Sequence, residues 1–132
     1  MLNRVENVLR LVGNELIKLR SSGPIIGCWS GPAQFKAHAD LVAHKMLAEG
    51  LRNIRGNIPI ISEEDRMSQS RGRSSQYWLI DPIDGTASFA GGYDGFVTQV
   101  ALMENDFPKL AAVHAPALNL MYLSVKGQGA TV

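Results

Sequence analysis

Two acidic motifs carry the chemistry of this sequence: "ISEED", Ile61 to Asp65, and "WLIDPIDGTASF", Trp78 to Phe89. Five of the twelve acidic residues, Glu63, Glu64, Asp65, Asp81 and Asp84, fall here, each group at the end of a short apolar run. If those runs are neighbouring strands, the carboxylates converge, and carboxylates held together repel one another unless protons or cations neutralise them. Apart from Arg66 no basic residue adjoins them in sequence, so a bound divalent cation is a reasonable answer. Oxygen ligands with no Cys or His cluster select a hard ion, Mg²⁺ before Zn²⁺.

The spacing inside "DPIDGT" has its own logic. Pro82 has no N–H and is expected to end the strand at Asp81. The turn returns Asp84 beside Asp81 and can aim the Ile83 carbonyl at the same ion. Asp84 is expected to cap a short helix starting at Gly85, whose free N–H groups at Gly85, Thr86 and Ala87 make a phosphate cradle. Metal and phosphate then share one site, as metal-assisted phosphoester hydrolysis requires. Asp-Pro and Asp-Gly pairs are also ordinary turn formers; it is the company of "ISEED" that argues for chemistry. Haloacid-dehalogenase-type phosphatases space their two acids by two positions, whereas Asp81 and Asp84 are three apart and follow two helices. The other reactive residues read as structural. His38, His44 and His114 are scattered surface or core residues, Cys28 is inert, and Arg66, Arg71 and Arg73 belong to a solvated loop.

These motifs need elements to position them. Val5, Val8, Leu9, Val12, Leu16 and Leu19 recur at helical spacing and predict an amphipathic helix ended by Ser21-Ser22-Gly23-Pro24. After a loop from Gly23 to Pro32, a second helix is predicted from about Ala37 to Ile54, closed by Gly56. Short strands follow, Ile58 to Ser62 and Tyr77 to Asp81, with a polar loop from Asp65 to Gln76 between them. Phe96 to Leu102, Leu110 to His114 and Leu120 to Val125 predict an antiparallel meander, and Ala130 begins a further strand. Helices first and strands afterwards indicate an α+β architecture, two N-terminal helices packed on an antiparallel sheet.

Composition sets the frame. A chain of 132 residues with 45% hydrophobic content is long and apolar enough for one compact domain. Thirteen basic against twelve acidic residues give a net charge of +1, so no global field recommends a nucleic acid polymer or a membrane as partner. Cys28 is the only cysteine, which excludes an internal disulfide and suits a reducing compartment. Charges interrupt the apolar runs of the first helix, so it is no signal peptide, and the chain reads as cytoplasmic.

At "WLIDPIDGT" and "ISEED" the sequence resembles the lithium-sensitive, Mg²⁺-dependent phosphatase superfamily of inositol monophosphatase. Within it, "SEED" and "APALNLMYLSVKGQGA" are most similar to bacterial 3′(2′),5′-bisphosphate nucleotidases, which remove the 3′-phosphate of adenosine 3′,5′-bisphosphate, a by-product of sulfate assimilation. The resemblance implies that Glu63 binds a first metal, Asp81 bridges two metals, the Ile83 carbonyl binds the first and Asp84 the second. It implies that Thr86 and Asp40 orient the attacking water, that Gly85, Thr86 and Ala87 hold the phosphate, and that Glu64 is an accessory acid. It also implies Li⁺ inhibition and a small phosphorylated substrate. "GPAQFKAHAD" keeps the Ala-Asp of the family but has Ala37 where a threonine is usual, and "PIIGCWSG" lacks the usual acid. The match is to the N-terminal half of the αβαβα sugar-phosphatase-like fold; no Trp-Asp pair, the family's further metal motif, occurs. Two functional expectations follow: a Mg²⁺-dependent phosphomonoesterase acting on adenosine 3′,5′-bisphosphate, with inositol monophosphatase-like activity as its alternative, or a non-catalytic metal- or phosphate-binding module. In either case self-association, or a partner supplying the other half, is expected.

Overall fold

The computed structural model describes residues 1–22, 31–70 and 72–132. The loop expected from Gly23, with Cys28, and Arg71 lie outside the described residues. Helix α1 (Leu2–Ser22) buries Val5, Leu9, Val12 and Leu16, the stripe that the periodicity predicts. Helix α2 (Pro32–Ile54) begins five residues before the predicted Ala37, because Pro32 occupies its first turn, where a missing N–H costs nothing. The strands are β1 (Ile60–Ser62), β2 (Gln76–Asp84), β3 (Val97–Glu104), β4 (Phe107–Ala115), β5 (Leu120–Val125) and β6 (Gly129–Thr131). Two short helices, α3 (Arg66–Ser70) and α4 (Thr86–Ala90), and a 3₁₀ turn (Pro116–Leu118) lie between them.

The six strands form one sheet in chain order, β1-β2-β3-β4-β5-β6. From β2 onward every pairing is antiparallel, as the alternation predicts. β1 joins β2 in parallel, so the sheet is mixed rather than wholly antiparallel, and the polar stretch after Asp65 makes the crossover. That stretch is not all loop. Asp65 Oδ1 accepts the N–H groups of Met67 and Ser68 at 3.0 and 3.3 Å, a side-chain cap that starts α3. The hairpin between β3 and β4 turns on Asn105 and Asp106, both left-handed at φ 50° and 64°, as a two-residue turn requires.

Both long helices lie on one face. Trp78, Ile80, Val100, Leu102, Leu110 and Ala112 point into a core shared with Val5, Leu9, Leu16, Leu47 and Leu51. Phe35 of α2 stacks on Phe89 of α4 at 5.6 Å, and Phe89 meets Phe96 edge-on at 5.1 Å, which seats α4 against α2. His114 of β4 enters a notch in α1: its Nδ1 lies 3.0 Å from the Leu9 carbonyl, and a Cβ on Gly13 would stand 2.4 Å from its ring. Burial holds its imidazole below the usual pKa, against the raising effect of the Leu9 hydrogen bond. The opposite face carries Ile61, Leu79, Ala101, Ala111 and Val113 along an open groove of about 620 Å³, which reaches Glu63 and Asp81 at one end.

Candidate metal centre

The parallel pairing of β1 with β2 creates the site. Ser62 pairs with Ile80, so the next residue along each chain, Glu63 past the end of β1 and Asp81 within β2, stands at the same level. The Glu63 N–H donates to the Ile80 carbonyl at 3.3 Å, which extends the ladder one step into the acidic motif. Asp81 shares a hydrogen bond with Glu63 and lies in the field of Asp84 and Glu64. Burial, then that hydrogen bond and the surrounding acids, push its carboxyl from 3.8 up to about 7.

β2 does not stop at Pro82. Asp81 pairs with Gln99 and Asp84 with Val97, so three steps on β2 face two on β3. This is a bulge, which lets a proline without an N–H stay in the strand and turns the carbonyls of Pro82 and Ile83 out of the ladder. Each exposed acceptor finds a donor. Thr98 Oγ1, fully buried, donates to the Pro82 carbonyl at 2.9 Å, and Thr86 Oγ1 to the Ile83 carbonyl at 3.0 Å. Gln99 Nε2 donates to Asp84 Oδ2 at 2.7 Å.

Asp84 therefore does not cap α4, contrary to expectation. The N-cap is Gly85 and makes no side-chain cap bond, because Asp84 is still in the strand and its carboxylate is engaged by Gln99. Gly85 is left-handed at φ 82°, and a Cβ there would stand 2.8 Å from the Gly95 carbonyl, so no other residue makes this turn without strain. Thr86 and Ala87 form the first turn of α4.

Asp40 reaches the site from α2. It is 7% exposed, and burial, with Glu64 and Glu63 adding to it and Lys36 opposing, raises its carboxyl from 3.8 to about 6. Among the described residues, Asp40 Oδ1 and Asp81 Oδ1 are buried without a hydrogen-bond partner. The structure thus brings Asp40, Glu63, Glu64, Asp81 and Asp84 into one electrostatic cluster. It does not join Thr86 to Asp40: the threonine hydroxyl is turned to Ile83. Arg66 begins α3, and Arg73 is exposed, paired with Asp106 at 3.6 Å, so both belong to the solvated surface, as expected.

Among the described residues, no group of three or more His, Cys, Asp or Glu side chains is arranged to hold a metal ion. The acids are neighbours and not a finished cage. Their chemistry nevertheless fits a cation: the donors are carboxylate and carbonyl oxygens, two carboxylate oxygens are buried and unpartnered, and a hard ion suits such a set. The sequence reading missed the residues that hold these groups in place, Ser62, Ser68, Gln69, Thr98 and Gln99. Their one signal was position, on or beside the strand ends carrying the acids.

No described helix is long and apolar enough to cross a membrane. The profile of the inositol monophosphatase family matches residues 9–132. The 3′(2′),5′-bisphosphate nucleotidase CysQ of Salmonella typhimurium is 41% identical over 91 residues, 68% of this chain and 37% of that protein. CysQ of Buchnera aphidicola is 32% identical over 124 residues, 92% of this chain and 47% of the relative. Among solved structures, an IMPase from Thermotoga maritima superposes with TM-score 0.76 at 32% identity, covering 95% of this chain and 48% of that one. CysQ from Bacteroides thetaiotaomicron gives TM-score 0.77 at 25% identity, over 96% and 46%. The chain spans less than half the length of these relatives. With the family's profile matching all but the first eight residues and its solved members superposing on nearly the whole chain, the chain belongs to the inositol monophosphatase family, a family of phosphatases.

Proposed function

We propose that this chain is the metal-binding part of a Mg²⁺-dependent phosphomonoesterase that removes the 3′-phosphate of adenosine 3′,5′-bisphosphate in the cytoplasm. The observation that carries the reading is the meeting of Glu63 and Asp81 at the ends of paired parallel strands, with Asp81 Oδ1 buried and unpartnered. Glu63, Asp81, Asp84 and the Ile83 carbonyl would hold the cations, with Glu64 as an accessory acid. Bound there, Mg²⁺ would supply a nucleophilic water at neutral pH and neutralise charge on the phosphoryl oxygens. Thr98 and Thr86 hold the Pro82 and Ile83 carbonyls of the bulge that links Asp81 to Asp84. Gly85, Thr86 and Ala87 would receive the phosphate on backbone N–H groups. Asp40, its carboxyl raised by burial to about 6, is suited to accept a proton from water. The nucleotide preference draws support from the likeness to the CysQ proteins.

The test is release of inorganic phosphate from adenosine 3′,5′-bisphosphate, with and without Mg²⁺ and with added Li⁺. Mg²⁺-dependent, Li⁺-sensitive release is expected. A preference for inositol phosphates would sink the nucleotidase assignment. Mg²⁺ binding without turnover would favour the second reading, a non-catalytic metal-binding module; Ala37, standing where the family usually has a threonine, motivates that reading.

A further inference from the structure

His44 stands one helical turn after Asp40 on α2, so both face the end of β1. Its Nδ1 lies 3.0 Å from Ser62 Oγ. Ser62 is 1% exposed, and its side chain and backbone both take part in hydrogen bonds at this end of the sheet. Its N–H donates to Ser68 Oγ at 3.0 Å, and its carbonyl accepts from Gln69 Nε2 at 2.9 Å. The same Gln69 nitrogen lies 2.9 Å from the Glu63 carbonyl, so α3 grips the backbone of the acidic motif. Ser62 Oγ in turn accepts the Glu64 N–H at 3.2 Å. That bond closes a serine turn across Glu63 and sets the direction in which the chain leaves β1.

We propose that His44 is a positioning residue of the acidic site: through Ser62 Oγ it locks the turn bearing Glu63 and Glu64 to the helix bearing Asp40. This rests on the metal-centre reading above. Ser62 Oγ accepts from Glu64 and still has its hydroxyl proton to donate, with Nδ1 at 3.0 Å as the acceptor we assign to it. Both bonds are made when the imidazole carries its proton on Nε2. His44 therefore fixes one serine rotamer, the rotamer fixes the turn, and the turn aims two carboxylates. Partners that orient metal ligands typically change metal affinity by about 10–100-fold when removed.

Two measurements on the full chain test this: amide hydrogen exchange at Glu64 in metal-free buffer, and Mg²⁺ affinity by calorimetry. His44→Phe keeps a ring and loses the acceptor; His44→Asn restores an acceptor near the Nδ1 position. His44→Phe should speed Glu64 exchange and weaken Mg²⁺ binding by about tenfold or more, and His44→Asn should recover most of both. If His44→Phe does not fold, His44→Leu, which fills the same space without an acceptor and leaves Ser62 intact, should give the same two changes. A lower melting temperature with Glu64 exchange and Mg²⁺ affinity unchanged would make His44 a packing residue and overturn the proposal. A wild-type chain that binds no Mg²⁺ would overturn the metal-centre reading instead, and Glu64 exchange would still decide whether His44 holds the turn.

Discussion

Replacing Asp81 by asparagine should make the metal-free protein more stable at pH 8 and abolish its response to Mg²⁺. Asp81 has a carboxyl pushed from 3.8 to about 7 by burial, by its hydrogen bond to Glu63 and by the charges of Glu63, Asp84 and Glu64. A folded-state pKa above the unfolded one means that the native chain holds this proton more tightly. Stability contributed by the protonated form is full below the unfolded value and is lost as pH rises towards 7. The full shift corresponds to at most about 4 kcal/mol. The site opens onto a solvent-filled groove that screens the charges, so about 1–2 kcal/mol is the expected gain for the neutral amide. For a chain of this size that is a rise of about 3–8 °C in Tm. At pH 5 Asp81 already carries its proton, and the difference should shrink towards zero. Mg²⁺ should raise the Tm of the wild type at pH 8 and leave Asp81→Asn unmoved. Thermal melts at the two pH values, with and without Mg²⁺, are sufficient. A lower Tm for the variant in metal-free buffer at pH 8, or an undiminished Mg²⁺ shift, would refute the reasoning.

Three further outcomes are expected. Gly13→Ala should destabilise by about 1–3 kcal/mol, since overpacking against the His114 ring outweighs the helix propensity gained; a raised Tm would show that the notch in α1 can open. Thr98→Val should cost about 1–3 kcal/mol by stranding the buried Pro82 carbonyl, and should weaken Mg²⁺ binding as well, by calorimetry; a stability loss with unchanged affinity would detach Thr98 from the site. The open sheet face, with Leu79 and Tyr122 more than 40% exposed, should drive self-association visible in light scattering of dilute protein; a monomer with a cooperative melt would contradict it.

The parts of the fold legible in the sequence are those where one period dominates. Apolar residues at helical spacing marked α1, and alternation marked β3 to β5, because each element has one buried face. The meeting of Glu63 with Asp81 was also legible, since acids at the ends of two strands converge if the strands are neighbours. The direction of that pairing was not, because three residues of β1 carry no mark of parallel or antiparallel partnership. Helix α3 was hidden in a polar run whose cap, Asp65, was counted with the acids. The bulge was read as a strand end, because Pro82 denies a hydrogen bond whether the strand stops or swells. His44 reads as a scattered surface or core residue and Ser62 carries no mark at all, because their contact spans 18 residues, which neither shows alone.

A sheet whose spatial order equals its chain order has a consequence for how the molecule assembles. Every strand finds its partner in the next segment of chain, so the sheet can zip up through short loop closures with little entropy lost at each step. The long-range closure is left to α1, whose Leu9 must meet His114 across 105 residues. The acidic turn is thereby built among near neighbours, and docking of the first helix is the closure of longest range that this connectivity requires.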